Sequence, residues 1–278
     1  MLHSIIERAG VGMMHAFDAC TGCVRRGQQN PALPCGVAGA RAECARLAAS
    51  PKSPPRPVVV LGGYHAWGPV SWVVAYDLRQ LTDPAAAHVL PVQFMLDTSL
   101  QSCAARVIRL VRDRYGTLDD TRTVEVDAVG ISMGGIVARL ACAGDHAAFA
   151  MPAGLPRLNV RRIFTFGSPH RGSRIAKLVA PDRAARDMKP GSDMLARLDA
   201  CLAHRDAPEL TCYAQVRDHT VGALHASPPG RHPHWSDSTW TLSHFATPHN
   251  PWFQADCARR LRGDEPFLPP PHTAPPHN

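Results

Sequence analysis

Lysine is almost missing from this chain. Of thirty basic residues only Lys52, Lys177 and Lys189 are lysines, scattered along 278 positions. The formal charge of +7 is therefore carried by dispersed arginines, with no basic block and no aromatic interleaving of the kind a nucleic-acid groove needs. A nucleic-acid partner is excluded, and the charge reads as surface composition. Long apolar runs are also absent: no window approaches the roughly 18 to 20 residues of a membrane span. Near the start, His3, Glu7 and Arg8 interrupt the apolar residues, and no basic segment leads into an apolar one as in a secretory leader. The expectation is a cytoplasmic protein without a transmembrane segment. Nine cysteines, an odd number, cannot all pair within one chain. Cys20 and Cys23 form a Cys-x-x-Cys pair that lacks the second close dyad of a zinc site, and Cys201 and Cys212 are near enough in sequence to close a loop in an oxidising compartment.

What is present is a patterned α/β chain. The 45% apolar content is enough to bury one substantial core. Pro51, Pro54, Pro55 and Pro57 mark an extended linker, so residues 1–56 read as an N-terminal extension and linker. Residues 264–278, rich in proline, read as a disordered tail, which leaves a main domain over 57–263. Within it, Val58–Leu61 is a short apolar run ending at Gly62-Gly63, as in a buried parallel strand. Further strands are expected at Val89–Phe94, Thr123–Val129, Val160–Phe166 and Thr211–Val216. Helices are expected where Leu100, Ala104, Val107, Ile108 and Val111 share a face, and over Gly134–Ala143. Strands alternating with helices predict a mostly parallel central sheet covered on both faces, with reactive groups at the strands' carboxyl ends.

One pentapeptide carries the chemistry. Gly130-Ile131-Ser132-Met133-Gly134 lies after a predicted strand and before a predicted helix, where a turn too tight for flanking side chains projects a serine hydroxyl above the sheet. Such a serine needs a base to take its proton and donors for the oxyanion that forms on attack. The Met133 N–H, directly after the nucleophile, is one donor. The second belongs to the loop after the first strand, with Tyr64 N–H chosen and Gly63 the near alternative.

Four segments resemble the bacterial lipases and related acyl hydrolases of the α/β-hydrolase fold, including the group similar to GPI-inositol deacylases. Val58–Trp72 looks like the strand, oxyanion loop and following tryptophan; Val129–Arg139 looks like the nucleophile elbow. Phe166-Gly167-Ser168-Pro169-His170-Arg171-Gly172-Ser173 is similar to the family's Gly-Thr-Pro-His-x-Gly-Ser stretch. Met188-Lys189-Pro190-Gly191-Ser192 to Leu198 resembles a cap-region segment, so 174–206 reads as a small cap. The chain departs from the pattern at Ile131, usually histidine, and at Gly62-Gly63, usually His-Gly.

The acid of such a site follows the serine in the chain and the base follows the acid. Among Asp193, Asp199, Asp206, Asp218 and Asp237, only Asp218 follows a predicted strand, and Arg217–Val221 resembles the family's Asp-x-x-Val. Among His225, His232, His234, His244 and His249, the neighbours Leu242 and Phe245 make His244 the family-like choice, with His249 as alternative. His170 reads as structural. The implied activity is a serine lipase or esterase acting on a small-molecule or lipid ester, without cofactor or metal. An acyltransferase or thioesterase on the same scaffold is a rival reading, and a catalytically inactive binding protein is another.

Overall fold

The computed structural model describes residues 30–65, 69–85, 88–237 and 243–276. Cys20 and Cys23, Trp67 of the oxyanion segment and Leu242 beside the expected base lie outside them.

The central sheet is built from β1 (Val58–Tyr64), β2 (Val89–Phe94), β3 (Thr117–Asp119), β4 (Arg122–Ile131), β5 (Arg157–Phe166), β6 (Glu209–Gln215) and β7 (His234–Ser236). Their order is β2-β1-β4-β5-β6-β7, with every neighbouring pair on that path parallel and β3 antiparallel to the start of β4. Residues of β1 alternate between two cores: Val59 and Leu61 pack with one cluster, Val58 and Val60 with the other. That is why the run reads as uniformly apolar, since both faces of a parallel sheet are covered.

On the first face lie α3 (Leu100–Tyr115) and α4 (Met133–Ala141). The α3 stripe Leu100, Ala104, Val107, Ile108 and Val111 is buried as its spacing predicts, and Ser99 caps the helix by accepting the Ser102 N–H. All nine residues of α4 are buried. On the second face, α2 (Val70–Leu81) and α9 (Pro251–Arg262) contribute Val74, Leu78, Phe253, Cys257 and Leu261. Asn250 caps α9 by accepting the Trp252 N–H ahead of Pro251, and Gly263 ends it in a left-handed conformation. The cap-like stretch between β5 and β6 holds three short helices, α5 (Arg174–Leu178), α6 (Arg183–Asp187) and α7 (Asp193–Cys201), and α8 (Ser243–Ala246) precedes α9.

Two features differ from the sequence expectation. Residues 37–48 form a helix, α1 (Val37–Ala48), that packs on α9. Arg262 fastens the turn behind it by donating to the carbonyls of Leu47 and Ser50, so this part of the extension shares the main core. The proline-rich tail is also held: Asp256 Oδ1 accepts the N–H groups of Phe267 and Leu268, both at 2.8 Å, and Leu268 is buried. Cys201 and Cys212 are free thiols. Cys212 lies within β6, buried in the sheet.

Candidate functional site

The turn between β4 and α4 decides where the chemistry sits. Ser132 has φ 52° and ψ −122°, a conformation that a non-glycine residue occupies only under constraint from its surroundings. The constraint is visible on both sides. A methyl group on Gly130 would collide with the Gly135 backbone, and one on Gly134 with the Leu61 carbonyl of β1. The Ser132 N–H donates to Phe166 O of β5 at 2.9 Å, and its carbonyl accepts the Gly135 N–H at 3.2 Å. Met133 opens α4, so its N–H belongs to the first-turn amides that have no intrahelical acceptor.

Ser132 Oγ stands 3.0 Å from His244 Nε2, and His244 Nδ1 stands 2.8 Å from Asp218 Oδ2. Because a carboxylate only accepts, Nδ1 carries the proton in this pair and leaves Nε2 as an acceptor for the serine hydroxyl. Asp218 follows β6 and is almost wholly buried. Its other oxygen accepts the Thr220 and Val221 N–H groups, each at 2.9 Å, so Oδ2 is left to the imidazole. Burial pulls the Asp218 carboxyl upward, but the bond and charge of His244 and the two amides outweigh it and hold it below the usual carboxylate range.

The loop beyond β1 completes the surround. The outward Cα position of Gly63 faces Ser132, with a methyl built there 3.5 Å from Ser132 Cβ and 4.0 Å from Oγ. The Gly63 backbone therefore borders the hydroxyl, with Tyr64 the next residue along β1. Of the six residues named from the sequence, Gly63 and Tyr64 end β1, Ser132 follows β4 and Met133 opens α4, Asp218 follows β6, and His244 sits in the short helix α8. His249 lies elsewhere, with Nδ1 3.1 Å from Asp77 Oδ2 on α2.

Beneath the elbow is a polar layer. His170 is fully buried, with Nδ1 2.9 Å from Arg139 of α4 and Nε2 3.1 Å from Thr165 Oγ1. Burial first, and then the charge of Arg139, press its pKa well below the ordinary histidine value. The ring is neutral, accepting from Arg139 and donating to Thr165, which fits a structural part. Arg139 continues to Asp199 of α7 at 2.7 Å, joining the elbow helix to the cap-like stretch. Two groups escaped the sequence reading: this arginine, whose signal is a charge on an otherwise apolar helix, and His65, whose signal is its place directly after Tyr64.

A parallel sheet in this order, with a strained serine between its central strand and the next helix, defines the architecture. The fold is the α/β-hydrolase fold. No family model and no curated protein matches the chain. Solved structures similar to it include the mature form of a lipase from Bacillus licheniformis, at 17% identity and a TM-score of 0.45, over 72% of this chain and 88% of that one. A lipase-esterase related protein from Clostridium acetobutylicum is similar at 11% identity and 0.44, over 76% and 97%. A phospholipase from Legionella pneumophila, solved with thio-NAD, is similar at 14% and 0.45, over 62% of this chain. The matched region spans only 44% of that phospholipase's length.

Proposed function

We propose that the chain is a serine hydrolase of carboxylic esters working through an acyl-enzyme on Ser132. The observation that carries this reading is the unbroken path from Ser132 Oγ through His244 to Asp218, at 3.0 and 2.8 Å, on a serine held in a strained elbow. In the first half-reaction His244 Nε2 takes the hydroxyl proton as Oγ attacks the ester carbonyl. Asp218 orients the ring and stabilises the imidazolium. The Met133 N–H, with that of Tyr64 or Gly63, receives the oxyanion. His244 then gives its proton to the departing alcohol. Water enters, loses a proton to the same nitrogen and releases the acid, restoring the serine.

An apolar acyl group suits the surroundings. Leu96 just beyond β2, Leu178 of α5 and Phe245 beside the base are 87%, 84% and 64% exposed, in segments that follow strand carboxyl ends. These exposed apolar side chains favour an apolar acyl group over a polar one in this reading. A fluorophosphonate probe tests the mechanism: the wild type should be labelled and Ser132→Ala should not. Labelling that persists in a folded Ser132→Ala protein, or its absence from the wild type, overturns the reading.

A further inference from the structure

His65 has no part in the proton path, yet it directly follows the loop that borders Ser132. It holds a φ of 40°, in the left-handed region where a side chain other than glycine's is retained only when its contacts fix it. Two contacts do so. Nδ1 lies 2.8 Å from the carbonyl of Met95, just past β2, and Nε2 lies 2.9 Å from Asp182 Oδ2. Asp182 is the residue that caps α6, its other oxygen accepting the Ala185 N–H at 2.8 Å. Three segments therefore meet on one imidazole: the oxyanion loop, the end of β2 and the cap-like stretch.

The chemistry of the partners fixes the charge of the ring. A backbone carbonyl and an ionised carboxylate only accept, so each nitrogen must donate, and only an imidazolium donates from both. A neutral ring would aim a lone pair at one of the two oxygens. We propose that protonated His65 is a positioning residue that clamps the Gly63-Tyr64 backbone beside Ser132, and that loss of its proton loosens those donors and slows the reaction. This rests on the serine-esterase reading above.

The groups around the ring agree with a cation. The Met95 carbonyl raises its pKa most, burial opposes, and the bond and charge of Asp182 and then the charge of Asp97 add to the rise. Asp97 is itself paired with Arg106 at 3.2 Å. The Tyr64 ring packs against His65 at 4.2 Å. Its phenol is pushed up to about 12, by burial first and then by Asp182, and so stays neutral while His65 titrates. Asp182 is held below its ordinary value, because the Ala185 amide, His65 and Tyr64 outweigh the effect of burial. A raised histidine pKa means that the clamp is fully formed below the ordinary histidine value and is lost as pH rises through the folded one. A backbone bond from Ala184 N–H to Thr98 O at 2.9 Å joins two of the same segments without a titrating group, so the cap stretch stays docked when the ring is neutral.

Two measurements test this. The first is kcat and KM on a soluble ester across the neutral to alkaline range. The wild type should lose kcat on the alkaline side with an apparent pKa above the ordinary histidine value, at nearly constant KM. His65→Gln should lower kcat roughly ten- to a hundredfold, as misplaced donors do, and abolish that alkaline limb. Asp182→Asn, which keeps a capping oxygen but removes the charge, should move the limb to lower pH. The second is the NMR titration of His65 in Ser132→Ala, which needs no turnover: the ring should titrate above its ordinary value and shift downward when Asp182→Asn is added. An unchanged alkaline limb in His65→Gln or in Asp182→Asn, or a His65 titration at or below the ordinary value, overturns the proposal. A wild type inert on esters in which His65 nonetheless titrates high rejects the serine reading, and the positioning role falls with it.

Discussion

Two histidines five residues apart in this sequence each pair with an aspartate. His244 meets Asp218 at 2.8 Å and His249 meets Asp77 at 3.1 Å, through Nδ1 in both cases and with both partners largely buried. The difference lies in what completes each group. His244 turns its other nitrogen to a serine in a strained turn, whereas Asp77 Oδ2 also accepts from Gln254 of α9 at 3.3 Å. The second pair thereby joins α2, the turn at 247–249 and α9. A histidine on a carboxylate is a general solution to burying two polar groups, and under the proposed mechanism the hydroxyl at the far nitrogen is what makes one of them a proton-transfer device.

That contrast is open to attack at several strengths. The strongest blow is His244→Ala against His249→Ala. The first should lower kcat/KM on the order of a thousandfold or more, leaving only binding and the oxyanion donors; the second should change it by less than about fivefold, as expected of a group outside the reacting set. Near-normal turnover in His244→Ala with a dead His249→Ala would exchange the two roles. Asp218→Asn should cost less than removing the base, by roughly one to two orders of magnitude. It should also flatten the acid side of the stability profile. The Asp218 carboxyl is held below its ordinary value, so its contribution is fully present above the unfolded carboxylate pKa and fades as pH falls through the folded one. Denaturant midpoints measured from neutral to acid pH check this, and parallel wild-type and variant profiles would refute it.

Smaller effects belong to stability alone. Leu268→Ala, in the proline-rich tail, should destabilise by about 2–5 kcal/mol as other buried leucines do, with kcat unchanged. A melting temperature equal to that of the wild type would return the tail to the status the sequence suggested. His249→Ala, which leaves Asp77 short of a partner, should cost about 1–3 kcal/mol, visible as a lower denaturant midpoint.

The parts that were readable in the sequence are those whose local chemistry is constrained. Gly130 and Gly134 announce the elbow because nothing larger fits against Gly135 and Leu61. Asp218 is singled out by the strand before it and His244 by neighbours that resemble the family's, because five histidines satisfy the order along the chain; the strands are read from apolar runs that both faces demand. The tail and α1 were missed for a different reason. Proline content says that residues 264–278 cannot form helix or sheet, but not that a distant carboxylate, Asp256, captures the two amides at 267 and 268. In α1 the buried positions are Ala40 and Leu47, one of them an alanine among several and the other a single leucine, so the face turned to α9 has no distinct pattern. His65 was passed over for a third reason: its place after Tyr64 is a signal, but its partners Met95 and Asp182 lie thirty and more residues away.

The outer strands of the sheet bear on how copies of this chain meet one another. β7 has three residues, the Trp235 carbonyl is already taken by Asn30 Nδ2 at 2.7 Å, and its indole donates to Thr273 O at 3.2 Å. On the opposite margin β2 carries Pro91, in register with Val60 of β1, and a proline offers no amide to an incoming strand. Among the described residues, neither margin presents a long row of free donors and acceptors, the template on which open sheets add foreign strands and grow into aggregates. The described margins are thus blunted against edge-to-edge growth, although Leu96, Leu178 and Phe245 stand exposed elsewhere on the surface.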